Sequence, residues 1–237
     1  MSDFGLDSAV LFTPGRASYV TTAPDGGFEH HLTAASQHRA EFAAYVYDSS
    51  FHTSALFAGG SPTLAQNWPP EHIPPVGSRE ADKLAVPLAQ RLHISGLSDE
   101  AIDTIIHRQG ESNNSIGDVV HSMRAGYLNI DDFHRDGVVH GINLISGFMH
   151  GIRFQRILSV ALDIPKDRIR RAPMFDTYGT PAAEFRPAES KAKAMATEAA
   201  AIAVNELVFR GVKRGDIDAL AEAEERFANF ASKKKRD

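Results

Sequence analysis

The 237-residue chain has no cysteine. Disulfides, thiolate nucleophiles and cysteine-ligated metals are therefore excluded. It lacks any apolar run of the roughly 18 residues that a membrane span needs. The opening "MSDFGLDSAVLF" carries acids where a secretory signal has a basic stretch. A cytoplasmic protein without membrane association is the expectation. Excess positive charge is missing as well. The formal charge is −5 and the pI about 6.1, so no broad basic field argues for nucleic acid. The terminal "SKKKRD" reads as the solvated end of a helix. Several catalytic signatures are absent too. There is no G-x-G-x-x-G and no Walker loop, and no G-x-S-x-G elbow. No H-E-x-x-H occurs, so His30 and His31, adjacent among eleven histidines, read as a surface pair and no metal is expected.

What is there is a chain that is 43% hydrophobic, enough for one sizeable core or one core with an appended element. Apolar runs over 8–15, 52–60, 138–147 and, more weakly, 168–175 read as strands, with a further strand around Thr104 to His107. Residues 16–31 are polar, contain "APDGG" and read as a loop. Helical spacing covers 32–50, a stretch starting at Ser78, the run after Asn114, and 148–164. Ser78 is a plausible N-cap with Glu80 in the first turn, and Pro87 predicts a bend. The segment 61–77 holds five prolines in 17 residues and reads as a loop or lid. After Pro187 the chain is Ala-rich and helical to about Phe209, and a last helix covers roughly Asp216 to Ala231.

Strands that are apolar throughout, alternating with helices, predict a mostly parallel sheet covered on both faces, a three-layer α/β/α sandwich. Residues 1–175 form that domain, and 176–237 form a C-terminal helical extension packed on it. In such folds ligands sit beyond the carboxyl ends of the strands. That rule selects Pro14 to Arg16, Gly59 to Ser61, Gly110 to Ser115 and Ser146 to Arg153. Gly59 and Gly60 let backbone approach a ligand, and with Ser61 they offer donors to an anion; a plain tight turn explains a Gly-Gly pair equally well. In "ESNNS" the residues Ser112 and Asn114 are helix-capping types. Glu111 precedes that cluster and is a candidate ligand contact or general base. His150 is a candidate acid or base because it titrates near neutrality. Arg153, three residues on, shares its helical face and suits an anion. Ser146 lies one turn before His150 and is at most a lead toward a nucleophile–base pair.

The order of "LFTPG", a helix with Arg39, "ALFAGG", "SREADKLAVPLAQ", "ESNNSIGD" and "SGFMHGIRF" resembles the YdcF-like family, which includes SanA and ElyC. The resemblance covers roughly residues 8–165. Its pattern is E-x-S-x-N-T-x-E-N followed by S-x-x-H-x-x-R-A. Here Ser115 stands for the threonine, Gly117 for the second glutamate and Asp118 for the last asparagine. One extra residue separates Ser146 from His150. Family members are often membrane-anchored, and this chain shows no anchor. The resemblance implies a Rossmann-like fold and, since one member has been proposed to bind it, S-adenosylmethionine as a possible cofactor. It implies catalytic roles for His150 and Glu111. It implies ligand contacts from Gly15, Arg39, Gly59, Gly60, Ser61, Ser112, Asn114, Ser146 and Arg153. Three functions follow as expectations: an enzyme acting on or with a nucleotide-like or phosphate-bearing small molecule; a non-catalytic adenosyl-binding module; or an interaction protein that homo-oligomerises through its C-terminal helices.

Overall fold

In the computed structural model, which describes residues 9–15, 18–60, 78–112, 114–134, 140–174, 196, 199–200 and 202–233, strand β1 (Ala9–Pro14) is buried at all six positions. It can be so because it occupies the centre of a five-stranded sheet. A hairpin follows, β2 (Ser18–Thr22) and β3 (Phe28–Leu32), then α1 (Ala34–Val46), β4 (His52–Ala58) and α2 (Glu80–Ile94). Next come α3 (Asp99–Ile105), β5 (Ile106–Gln109), α4 (Ser115–Arg124) and the short α5 (Ile130–Phe133). The domain closes with β6 (Gly141–Gly147), α6 (Phe148–Ala161) and β7 (Ile169–Met174). A helical stretch over 202–208 and α7 (Ile217–Lys233) complete the described chain.

The sheet order is β5-β4-β1-β6-β7, and every pairing is parallel. The chain therefore builds outward from β1 through β4 and β5, then crosses back to β1's other side for β6 and β7. This is the Rossmann-like, doubly wound arrangement, and its direction reverses between β1 and β6. Period-2 alternation divides the strands between two cores. Leu11, Ala55, Phe57 and Ile145 face α1 and α2, packing on Ala40, Ala43, Leu84 and Leu88. Val10, Phe12, Leu56 and Leu144 face the other layer, packing on Val119, Val120, Phe154 and Leu158. Leu220 and Ala223 of α7 are fully buried in that second core. Helix α7 is thus part of one helical layer of a three-layer sandwich and lies over α4.

Three local expectations are corrected, those for residues 16–31, for Thr104 and for Ser78 as the α2 N-cap. Residues 16–31, read as a loop, contain the antiparallel hairpin β2–β3. The Ala-Pro-Asp-Gly-Gly stretch is only its turn: Gly26 takes φ +83, and Ala23 N–H donates to Gly27 O at 2.8 Å. Thr104 and Ile105 belong to α3, not to the strand, because Ser98 caps a helix that runs to Ile105. Pro87 lies inside α2 without ending it; Leu84, Ala85, Leu88 and Leu92 hold the helix on the core across the missing hydrogen bond. The N-cap of α2 is Arg79, not Ser78, since the Asp82 carboxylate reaches back to accept from Arg79 N–H at 2.9 Å. The Pro-rich lid at 61–77 lies outside the described residues.

Candidate functional site

The strands end in register, with Pro14 opposite Ala58 and Ala58 opposite Gln109. Beyond those ends the backbone is made of glycine, and the neighbour in each case is part of the chain itself. A side chain at Gly15 would collide with the carboxylate of Glu80, the first residue of α2. At Gly59, which takes φ +152, a Cβ would lie 3.0 Å from Glu80 Oε2. At Gly60 it would meet Gly110 O at 2.7 Å and Ser112 N at 2.9 Å. The glycines therefore let a carboxylate stand directly over the ends of β1 and β4. Glu80 is 6% exposed and accepts from Ser36 Oγ on α1 at 2.8 Å. Ser36 in turn accepts from Thr33, the α1 N-cap.

A second buried carboxylate faces the first from the opposite layer. Asp118 sits in the first turn of α4, 8% exposed. Ser112 donates its hydroxyl to Asp118 Oδ1 in a short hydrogen bond. Burial pushes the Asp118 carboxyl up to about 7, against the opposing effect of the Ser112 hydrogen bond. The negative charges of Glu80 and Glu224 push in the same direction as burial, and the Arg153 guanidinium pulls back. A carboxyl that exchanges its proton near neutrality suits acid–base chemistry. It also identifies where Arg153 stands, on α6 beside this pair.

Arg39 and His150 close the crevice between β1 and β6. The Arg39 guanidinium, 2% exposed on α1, donates through Nη1 to Pro14 O at 3.0 Å and to His150 Nδ1 at 3.1 Å. Arginine has no acceptor, so Nδ1 must accept and the ring proton sits on Nε2. His150 is itself 5% exposed and meets Phe154 edge-on, with ring centroids 4.8 Å apart. A charge-assisted hydrogen bond thus joins the two helical layers over the end of the central strand. His150 and Arg153 share one helix: His150 takes the Arg39 guanidinium, and the charge of Arg153 acts on the Asp118 carboxyl.

The remaining predicted residues fall in varied places. Glu111 is exposed and pairs with Arg79, whose guanidinium also donates to Gly110 O at 2.9 Å. Asn114 is the α4 N-cap, accepting from Ile116 N at 3.0 Å and Gly117 N at 2.9 Å. Ser146 is buried and donates to Gly147 O at 3.1 Å. Gly151 lets α6 rest on it, because a Cβ there would lie 2.9 Å from Ser146 Oγ. Ser61 lies outside the described residues. The edge thus gathers Gly15, Gly59, Gly60, Ser112, Arg39, His150 and Arg153, and adds Ser36, Glu80 and Asp118, which sequence reasoning did not place in it. Glu80 was visible only as a first-turn acid. Asp118 carried two signals: it stands at the last asparagine of the resembled motif, and it interrupts the apolar spacing of Ile116, Val119 and Val120 without lying on the exposed face.

Two cavities lie away from this edge. One, of about 430 Å³, opens beside α1 and is lined by Phe42, Phe51, His52, Asn143 and Arg170 among others. Another, of about 440 Å³, lies at the strand starts near Ala9, Thr53 and Gly141. Among the described residues no group of three or more His, Asp or Glu side chains is placed to hold a metal ion, and no helix is long and apolar enough to cross a membrane. Comparison with family models, with curated proteins and with solved structures finds no match, so geometry alone defines the candidate site.

Proposed function

We propose that the protein is a small-molecule enzyme of YdcF-like type that acts on or with a nucleotide-like or phosphate-bearing ligand at the β1–β6 switch point. One observation carries the reading: a buried carboxyl, Asp118, bonded to Ser112 at the strand-end edge and pushed up to about 7 by its burial. Charges buried for packing alone are costly, and this one is held at the edge where doubly wound sheets receive ligands. In this reading Arg153 meets the ligand's anionic group, since a guanidinium matches phosphate geometry. Asp118 exchanges the proton, Glu80 orients a hydroxyl or amine, and the Arg39–His150 pair holds the floor. A second reading, a binding module for S-adenosylmethionine, is favoured by the Glu80 carboxylate, which would complement a sulfonium cation.

The test is a thermal-shift and native mass spectrometry panel on the full chain with nucleotides, sugar phosphates and S-adenosylmethionine. Stabilisation by a phosphate-bearing ligand, lost in Arg153→Ala, supports the enzyme reading. Turnover of that ligand lost in Asp118→Asn would complete it. A shift with S-adenosylmethionine alone, without turnover, supports the second reading. No shift with any of them removes both.

A further inference from the structure

Helix α7 brings a third carboxylate to the same place. Glu224, on α7, lies against the first turns of α4. Its Oε1 accepts from Asn114 Nδ2 at 3.3 Å and lies 3.9 Å from His121 Nε2. Residues 114, 117 and 121 form one helical face, and the middle position is glycine. A side chain at Gly117 would collide with the Glu224 carboxylate and come within 3.1 Å of Ser112 Cβ. Ser112 is the residue whose hydroxyl binds Asp118. Glycine is unfavourable inside a helix, by about 1 kcal/mol relative to alanine. Here it leaves a space beside Ser112 that a carboxylate from more than a hundred residues away occupies.

We propose that Glu224 is a positioning residue of the switch-point site: α7 inserts its carboxylate into the space left by Gly117, where it holds the Asn114 cap and stands on Ser112's side of the Asp118 pocket. The proposal deepens the reading of Asp118 as the acid–base group and rests on it. The groups that face Asp118 are the Ser112 hydroxyl, Glu80 from α2, Arg153 from α6 and Glu224 from α7. Two of the three charges are negative, and a like charge nearby disfavours ionisation. Glu224 is the one carried by an element outside the sheet's own crossovers, so docking of α7 and the protonation of Asp118 are coupled. When α7 is seated, the carboxyl keeps its proton to higher pH.

The experiment follows the Asp118 side-chain carboxyl by carbon NMR through a pH titration of the full-length protein, with Asp118→Asn used to assign the signal. Glu224→Gln keeps the shape and the acceptor for Asn114 while removing the charge. The Asp118 midpoint is expected to fall by about half a pH unit, since Glu224 is the weakest of the charges acting on Asp118. Gly117→Ala is the companion variant, because its methyl group displaces the carboxylate while leaving Glu224 charged. It is expected to move the midpoint in the same direction, and it keeps the measurement available if Glu224→Gln does not fold. Wild-type midpoints in the folded variants, with only a lowered Tm, would reduce Glu224 to a packing contact and overturn the proposal. The titration needs no ligand. A shifted midpoint in a protein that binds no phosphate-bearing ligand would leave this coupling standing while the proposed function fails.

Discussion

Asp118 links stability to pH with a definite sign. Its folded-state value, about 7, lies above the unfolded value of 3.8. The folded state therefore holds a proton that the unfolded state has released between about pH 4 and pH 7, and stability falls as pH rises through that window. Full ionisation on the folded side costs roughly 4 kcal/mol at about 1.36 kcal/mol per unit. Asp118→Asn retains the acceptor for Ser112 and removes the charge. It is expected to match the wild type near pH 4 and to exceed it by a few kcal/mol at pH 8, measured by urea midpoints across pH; a difference independent of pH would refute the assignment. Loss of turnover together with that gain is the signature of a group retained for chemistry. His150 follows a different rule. Its ring is buried between Arg39 and Phe154, so His150→Ala strands a buried guanidinium donor. A loss of about 1–3 kcal/mol in the ligand-free protein is expected from denaturant unfolding, with partial recovery in His150→Asn, whose amide oxygen can accept.

At the scale of elements, the strand ends depend on backbone proximity. Gly60→Ala places a methyl group against Gly110 O and Ser112 N, which are backbone and cannot swing aside. A loss of about 3 kcal/mol or more is expected, since overpacking against backbone has no rotamer to relax into. Asn114→Ala removes both the α4 cap and a hold on Glu224. The cap alone contributes about 1 kcal/mol, so a thermal melt of this variant is expected to show at least that loss. The elements were legible in the sequence where period and caps agreed: the apolar runs of β1, β4 and β6, and the Asn114 start of α4. They were illegible where a tertiary contact decided the matter. The β2–β3 pair is a small sheet with exposed residues and no apolar run. The start of α2 was set by Asp82 and by Arg79's reach to Gly110. The site was legible as an edge, because strand ends are where helices begin. Which carboxylates occupy it was not, because Glu80 and Asp118 enter from opposite layers, and only the fold brings them together.

At the scale of the molecule, α7 is a structural part of one helical layer. Leu220 and Ala223 are buried with Val119, Phe133 and Phe154, and Val208 and Phe209 join the same core. A chain ending before residue 202 would expose that face of α4 and α6. It is expected to lose its cooperative thermal transition and to bind a hydrophobic dye, as a core stripped of several fully buried side chains should. The sheet order has a further consequence, for synthesis. Of the five described strands of this sheet, the one made first is the central one. Ala9 finds His52 soon after it emerges but waits for Gly141 on its other side. For most of translation the growing chain can form β5-β4-β1 under α1 and α2 while the far flank of β1 keeps its hydrogen-bonding groups unpaired. Ribosome-bound chains ending before Gly141 should therefore present a sticky, protease-sensitive half-sheet, and chains extended past β7 should not. The seam on β1 that must wait for β6 is the one at whose end Arg39 and His150 meet.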